Sequence, residues 1–217
     1  MHKYSKISGY KIKKILKCFC VDLQAVQTAL LLRFNRKTVD RYYGIFREEI
    51  FKYSLSNLEA AGGVFECDES YFGAKRVRGK RGRGAAGKTP VFGLLERNGN
   101  VYVTKVKNCS RDELLPIIKG HVLEGSVIHT DGWKAYDGLI LNGYDHYRVY
   151  HGENEFARGK CHVNGIECFW SFAKRRLAKF NGIASHKFDL YIKETEFRYN
   201  HRSYDLFKIA KKIIFKT

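Results

Sequence analysis

Three acidic residues, Asp68, Asp131 and Glu167, occupy positions from which carboxylates could converge on a metal ion. Asp68 closes the run Val64-Phe65-Glu66-Cys67-Asp68, which alternates as a half-buried strand does. Asp131 closes the short run from Ser126 to Thr130, and Gly132-Trp133 after it signals a strand exit. Glu167 falls in a long stretch of helical period. Carboxylates near strand ends can meet at one edge of a sheet, and a helix packed across that edge can add a third. Hard oxygen ligands of this kind suit Mg2+, with Mn2+ as a substitute. Two such ions, about 4 Å apart, can activate an attacking water or 3′-hydroxyl and stabilise the leaving oxygen of a phosphodiester.

The helix expected from about Val163 to Phe180 must position the third acid. Ile166, Phe169, Trp170, Ala173 and Leu177 form its apolar stripe. Asn164, Glu167, Ser171 and Lys174 recur at steps of three or four and share another face. A carboxylate at Glu167 can then face metal while Lys174, two turns along, holds a phosphate. Asn164 lies one turn earlier and is an alternative third ligand. His129 and His162 are candidates for supporting or DNA-contacting groups, and Trp133 and Trp170 for core or wedge residues.

The elements around these residues fall into two textures. Residues 1–58 read as a small all-helical module. Its helices are expected over Lys11–Cys20, Leu23–Leu32 (capped by Asp22) and Arg36–Tyr53 (capped by Asn35). The short turn before the third helix suits a helix-turn-helix, which would put Arg36, Lys37, Thr38 and Arg41 against DNA. Ala61-Gly62-Gly63 marks a break. Beyond it, Pro90–Leu95 and Val101–Val106 read as a hairpin around Asn98-Gly99. Helices follow over Arg111–His121 and Trp133–Leu141, a strand over Tyr147–Tyr150, and helices over Phe188–Arg198 and Asp205–Ile214. This order predicts an α/β class: a mixed sheet flanked by helices. We place domain limits at 1–58 and 61–202, with a C-terminal helix in 203–217.

Lys and Arg number 40 against 22 Asp and Glu, a net charge of +18, so a polyanion such as nucleic acid is the expected partner. The stretch 73–89 is basic, rich in glycine and free of acid, and cannot bury a core. Lys75, Arg76, Arg78, Lys80, Arg81 and Arg83 make it a candidate phosphate-gripping arm, joined by Lys174 and Arg175 on the long helix. The strand–loop–helix setting of a nucleotide-binding phosphate loop is missing around Gly87-Lys88-Thr89. Six cysteines form no zinc-finger spacing and read as reduced, mostly buried thiols. Without an apolar run of membrane length or a signal-peptide core, the expected setting is cytoplasmic and nucleoid-associated.

Three stretches carry a family resemblance: Glu66-Cys67-Asp68-Glu69-Ser70-Tyr71-Phe72-Gly73, His129-Thr130-Asp131-Gly132-Trp133-Lys134-Ala135-Tyr136, and His162-Val163-Asn164-Gly165-Ile166-Glu167-Cys168-Phe169-Trp170-Ser171-Phe172-Ala173-Lys174-Arg175. Arg198-Tyr199-Asn200-His201-Arg202 resembles the closing motif. Together they resemble the insertion-sequence transposases with a ribonuclease H-like catalytic core, the ISXO-like group of the DDE superfamily. The resemblance spans roughly residues 60–202. It implies Asp68, Asp131 and Glu167 as the metal-binding triad, with Lys174 as a basic follower. The 35 residues between Asp131 and Glu167 fit the group. Some relatives use Asn as third ligand, which keeps Asn164 open. Longer relatives carry an N-terminal zinc ribbon, which this sequence lacks, so end recognition is expected from the N-terminal module and the basic loop. The implied activity is Mg2+-dependent 3′-end cleavage and strand transfer on double-stranded DNA, both inverted repeats and target. A dimer or higher oligomer on DNA would perform it, with two ions per site. The alternatives are a metal-dependent nuclease of the same fold and a non-catalytic, domesticated DNA-binding regulator.

Overall fold

A computed structural model describes residues 7–56, 59–73, 88–131, 134–149 and 162–216. The basic arm at Lys75, Arg76, Arg78, Lys80, Arg81 and Arg83 lies outside them, as do Trp133 and Cys161. The chain divides into two compact units, residues 1–57 with 200–217, and residues 58–199.

The first unit is helical: α1 (Gly9–Cys20), α2 (Ala25–Leu32), α3 (Arg36–Ser56) and α7 (Leu206–Phe215). Ile12, Ile15, Leu16 and Phe19 of α1 are buried, as are Val39, Tyr43, Phe46 and Ile50 of α3, all at helical spacing. Two starts are capped by side chains, that of α3 as the sequence signalled. Asn35 Oδ1 accepts from Lys37 N at 2.9 Å, and Asp205 Oδ1 accepts from Lys208 N at 3.1 Å. One departs from expectation. Asp22 sits in the left-handed region at φ 61°, and α2 begins later, with Gln24 N donating to Gln27 Oε1 at 2.9 Å. The turn before α3 has no glycine because Arg33 itself adopts the left-handed conformation, at φ 54°. The C-terminal helix does not stand apart: α7 packs with α1 and α3.

The second unit holds a five-stranded sheet of β1 (Val64–Phe72), β2 (Thr89–Glu96), β3 (Val101–Lys105), β4 (Val127–Asp131) and β5 (Asp145–Val149). Its order is β3-β2-β1-β4-β5; β1–β2 and β2–β3 are antiparallel, β1–β4 and β4–β5 parallel. The hairpin turn is made by Asn98 at φ 63° and Gly99, as the sequence signalled. One face of the sheet packs on α4 (Arg111–His121) through Phe65, Cys67, Phe92, Leu94, Leu114 and Ile118. The other face packs on α5 (Asn164–Ala178) and α6 (Phe188–Asn200) through Phe72, Val91, Leu95, Phe169, Trp170 and Ile192. The expected mixed sheet flanked by helices is thus present, in the ribonuclease H-like order.

Three local expectations change. β1 runs on past Asp68 to Phe72, because β2 continues to pair with it up to Phe72↔Thr89. The helix expected from Trp133 to Leu141 is replaced, over the described residues, by two short 3-10 turns, Lys134–Tyr136 and Ile140–Asn142. Of the five cysteines described, only Cys18 and Cys67 are buried, and Cys168 is exposed.

α6 buries charge. Glu194 accepts from Arg198 Nε at 2.8 Å and pairs with Arg176 of α5, all three nearly inaccessible. Glu196 Oε2 accepts from the backbone N–H of Val103 in β3 at 2.8 Å and from Lys193 Nζ at 2.7 Å. Each buried charge has a partner, which is the condition for tolerating it there.

Candidate active site

Strand alternation decides which side chains of β1 can work together. Phe65 and Cys67 go into the core on the α4 face. Glu66 and Asp68 therefore lie on the α5 face, a period-two consequence of the pleat. Cys67 pairs with Thr130 in the parallel register, so Asp68 and Asp131 come level where β1 leaves β4. α5 crosses that face of the sheet.

The approach of α5 depends on glycines. A Cβ on Gly93, the partner of Asp68 in β2, would stand 2.6 Å from the Trp170 ring. A Cβ on Gly165 would stand 2.4 Å from Leu95 Cδ2 and 2.8 Å from Glu66 Oε2. Both are far inside contact distance: at Gly93 the obstacle is a rigid buried indole, and at Gly165 the ends of two buried side chains would have to give way. With the indole seated over Gly93, Trp170 Nε1 donates to Asp68 Oδ2 at 3.0 Å.

The stripe expected along α5 is the one observed. Ile166, Phe169, Trp170, Ala173 and Leu177 are buried, while Asn164, Glu167, Ser171, Lys174 and Arg175 are exposed. Asp131 and Glu167 are close enough for their charges to act on Asp68. Burial first, and then the negative charges of Asp131 and Glu167, push the Asp68 carboxyl up to about 6. The hydrogen bonds from the Glu69 backbone and from Trp170 oppose this rise.

A fourth carboxylate, which sequence reasoning left without a role, follows Asp68 on β1 and faces the α4 side of the sheet. Glu69 accepts a short hydrogen bond from the buried Tyr136 hydroxyl. Burial, with Asp68 and Asp131 nearby, pushes Glu69 up to about 7. The only signal in the sequence is the Asp68-Glu69 doublet, which says nothing of Tyr136, 67 residues away.

The imidazoles behave differently from one another. His129 is buried, stacks on Tyr147, and is held neutral, down to about 4, by burial and by Arg97. That placement gives it no surface from which to touch DNA. His162 lies beside Glu66, Nδ1 to Oε1 3.5 Å. Trp170 is both core and hydrogen-bond donor to Asp68.

The donor set fits a hard divalent cation in kind and in charge: oxygen donors only, and mutual repulsion that a cation would reverse. No three His, Cys, Asp or Glu side chains among the described residues are gathered closely enough to hold an ion as they stand. In the first unit, Arg36, Lys37 and Arg41 are exposed at the start of α3, with Thr38 half-buried and Arg36 bridged to Asp40 at 3.5 Å. No described helix is long and apolar enough to cross a membrane.

A mixed sheet in this order, with helices on both faces and carboxylates along one of them, defines the ribonuclease H-like class. Residues 60–200 match the family model described as the ISXO2-like transposase domain, and the chain belongs to that family, which lies within the DDE superfamily of insertion-sequence transposases. It is 43% identical over 101 residues to an uncharacterized transposase-like protein of Haemophilus influenzae, covering 46% of this chain and 81% of the relative. It is 31% identical over 152 residues to an uncharacterized protein in transposable element ISH50 of Halobacterium salinarum, covering 63% of this chain and 52% of that one. Among solved structures, it is similar to a chain of the simian T-cell lymphotropic virus intasome in complex with PP2A regulatory subunit B56 gamma. That match has TM-score 0.40 and 13% identity over 65% of this chain and 49% of that one. It also resembles the Mos1 transposase paired-end complex with left transposon end, with TM-score 0.31 and 12% identity over 100% and 81%. Likenesses this remote carry nothing about site or partner.

Proposed function

We propose that this protein cuts and rejoins DNA at the ends of an insertion sequence, with Asp68, Asp131 and Glu167 as its metal-binding carboxylates. The observation that supports the reading is that Asp131, level with Asp68 where β1 leaves β4, and Glu167 both bring negative charge to bear on the buried Asp68 carboxyl, in a chain of a transposase family. When bound by these carboxylates, Mg2+ or Mn2+, two ions per site, would supply Lewis acidity at the scissile phosphate.

The remaining work falls to the chain. Asp68, tied to Trp170, is the fixed member; Asp131 and Glu167 complete the set, with Asn164 the alternative to Glu167. Lys174 and Arg175 hold phosphate along the exposed face of α5. Arg36, Lys37, Thr38 and Arg41 grip the duplex at the first turns of α3, and the arm carrying Lys75, Arg76, Arg78, Lys80, Arg81 and Arg83 adds further phosphate contacts. Water attacks phosphorus at the element end, the P–O3′ bond breaks, and the leaving oxygen takes a proton to become 3′-OH. That 3′-OH then attacks a target phosphodiester, one ester bond replacing another, with no covalent link to the protein. Joining two ends requires at least two subunits assembled on DNA.

The test is a cleavage and joining assay on labelled element-end duplexes with Mg2+, Mn2+ or EDTA. Wild type should yield metal-dependent 3′-OH ends and joined products. Asp131→Ala should abolish both while DNA affinity stays within about threefold, since the change removes a ligand and no cation. Cutting without joining would make the protein a nuclease. Tight binding with no cutting in any metal would make it a regulator.

A further inference from the structure

Glu66 is 1% exposed and bonds to the start of α5. Its Oε2 accepts the backbone N–H of Ile166 at 3.0 Å, in the first turn of α5. Its Oε1 accepts from Arg97 Nε, also at 3.0 Å. Arg97 in turn donates through Nη2 to the carbonyl of His162 at 2.6 Å, just ahead of the helix. One carboxylate on the central strand thus holds the start of α5 directly, and a second time through an arginine on the β2–β3 turn. Gly165 lies between, with room for no side chain against Leu95 and Glu66. The N–H groups of a helix's first turn have no partner within the helix, and an acid there also answers the helix dipole. Here that acid comes from the sheet, two residues before Asp68, and the helix it holds carries Glu167 one residue after Ile166.

We propose that Glu66 is a positioning residue: it fixes the first turn of α5 to β1 and thereby sets the place of Glu167 relative to Asp68. The inference rests on the reading of Glu167 as a metal-binding carboxylate. Groups that orient metal ligands without touching the ion change affinity by about ten- to hundredfold when removed.

The experiment is a Mn2+ titration of the full chain followed by electron paramagnetic resonance, with thermal melting and DNA binding as controls for folding. Glu66→Ala should weaken Mn2+ binding by about ten- to hundredfold. Glu66→Gln should recover part of the loss, because its amide oxygen still accepts the Ile166 N–H while its NH2 group cannot accept from Arg97. Were Glu66 itself a ligand, Gln would bind as poorly as Ala, and the proposal would fail. Gly165→Ala is the second route. Alanine is the better helix former, so weakened Mn2+ binding there would come from lifting the helix off the sheet. This variant decides the matter if Glu66→Ala does not fold, and wild-type affinity in it overturns the proposal. Wild-type affinity in Glu66→Ala, with affinity lost in Glu167→Gln, overturns the positioning role alone. Unchanged affinity in Glu167→Gln removes the reading beneath it.

Discussion

The indole N–H of Trp170 reaches Oδ2 of Asp68 across 3.0 Å, and the space through which it does so is the missing side chain of Gly93. A residue that reads as core by its spacing is thus also the hydrogen-bond donor that fixes a site carboxylate. A hydrogen bond to a charged group contributes about 1.5–3 kcal/mol. Trp170→Phe keeps most of the ring and removes the donor. Its cleavage rate should fall roughly ten- to hundredfold, at about 1.4 kcal/mol per factor of ten. Gly93→Ala should act through packing, lowering stability by about 1–3 kcal/mol in urea unfolding. A Trp170→Phe enzyme with the wild-type rate would show that the hydrogen bond is incidental to the chemistry.

Acidity at the site predicts a pH dependence of stability. Asp68 and Glu69 lie at about 6 and about 7 in the fold, above their unfolded values near 4. The fold therefore holds their protons more tightly than the unfolded chain does. The stability they contribute is complete below pH about 4 and is lost as pH rises through about 6 and about 7. His129 runs the other way: its contribution is complete above its unfolded value near 6.5 and is lost as pH falls through about 4. Comparing Asp68→Asn with wild type separates the two. Without metal, the variant should gain on wild type between pH 4 and 7 and end more stable at pH 8 by about 1–3 kcal/mol. A variant less stable than wild type at pH 8 would overturn the account, and Mg2+ should narrow the gap by stabilising only the wild type.

Glu194 answers two buried arginines, Arg176 and Arg198. Glu194→Ala leaves both without it, and breaking one side of a buried ion pair costs about 3–5 kcal/mol. Chemical unfolding of the variant should show a loss of that order. A loss under 1 kcal/mol would mean that water reaches the arginines.

Salt tests the DNA interface. If the cations at α3, α5 and the basic arm contact phosphates, each contact releases about 0.9 of a counterion from duplex DNA. Affinity for any duplex should then drop by orders of magnitude between 50 and 200 mM salt, and Arg36→Ala or Lys37→Ala should each lower the log–log slope by about one. A flat salt response would sink the phosphate contacts proposed for these residues.

Much of this is legible in the sequence. The strands before Asp68 and Asp131, the Asn98-Gly99 turn and the two faces of α5 follow from period and turn chemistry, which are local properties. The continuation of β1 through Glu69 and Ser70 did not, because a polar pair inside a strand looks like its end. Only the pairing with β2 keeps it extended, and pairing is a property of two segments. The same reason hid Glu66, Glu69 and Gly165: each is defined by a partner on another element, Ile166 and Arg97, Tyr136, or Leu95. The stretch after Trp133 misled for another reason. Its apolar residues repeat loosely enough for a helix, yet Tyr136 and Leu139 enter the core from short 3-10 turns.

The bond from Val103 to Glu196 bears on how copies of the chain can meet. A strand at the margin of a sheet offers free backbone donors and acceptors, and an extended segment from another molecule can add to it. On β3 the outward N–H of Val103 is already taken by a carboxylate buried with Lys193. A foreign strand would have to expel that charge pair before it could register. Copies of the chain at high local concentration are thereby kept from pairing through this border of the sheet.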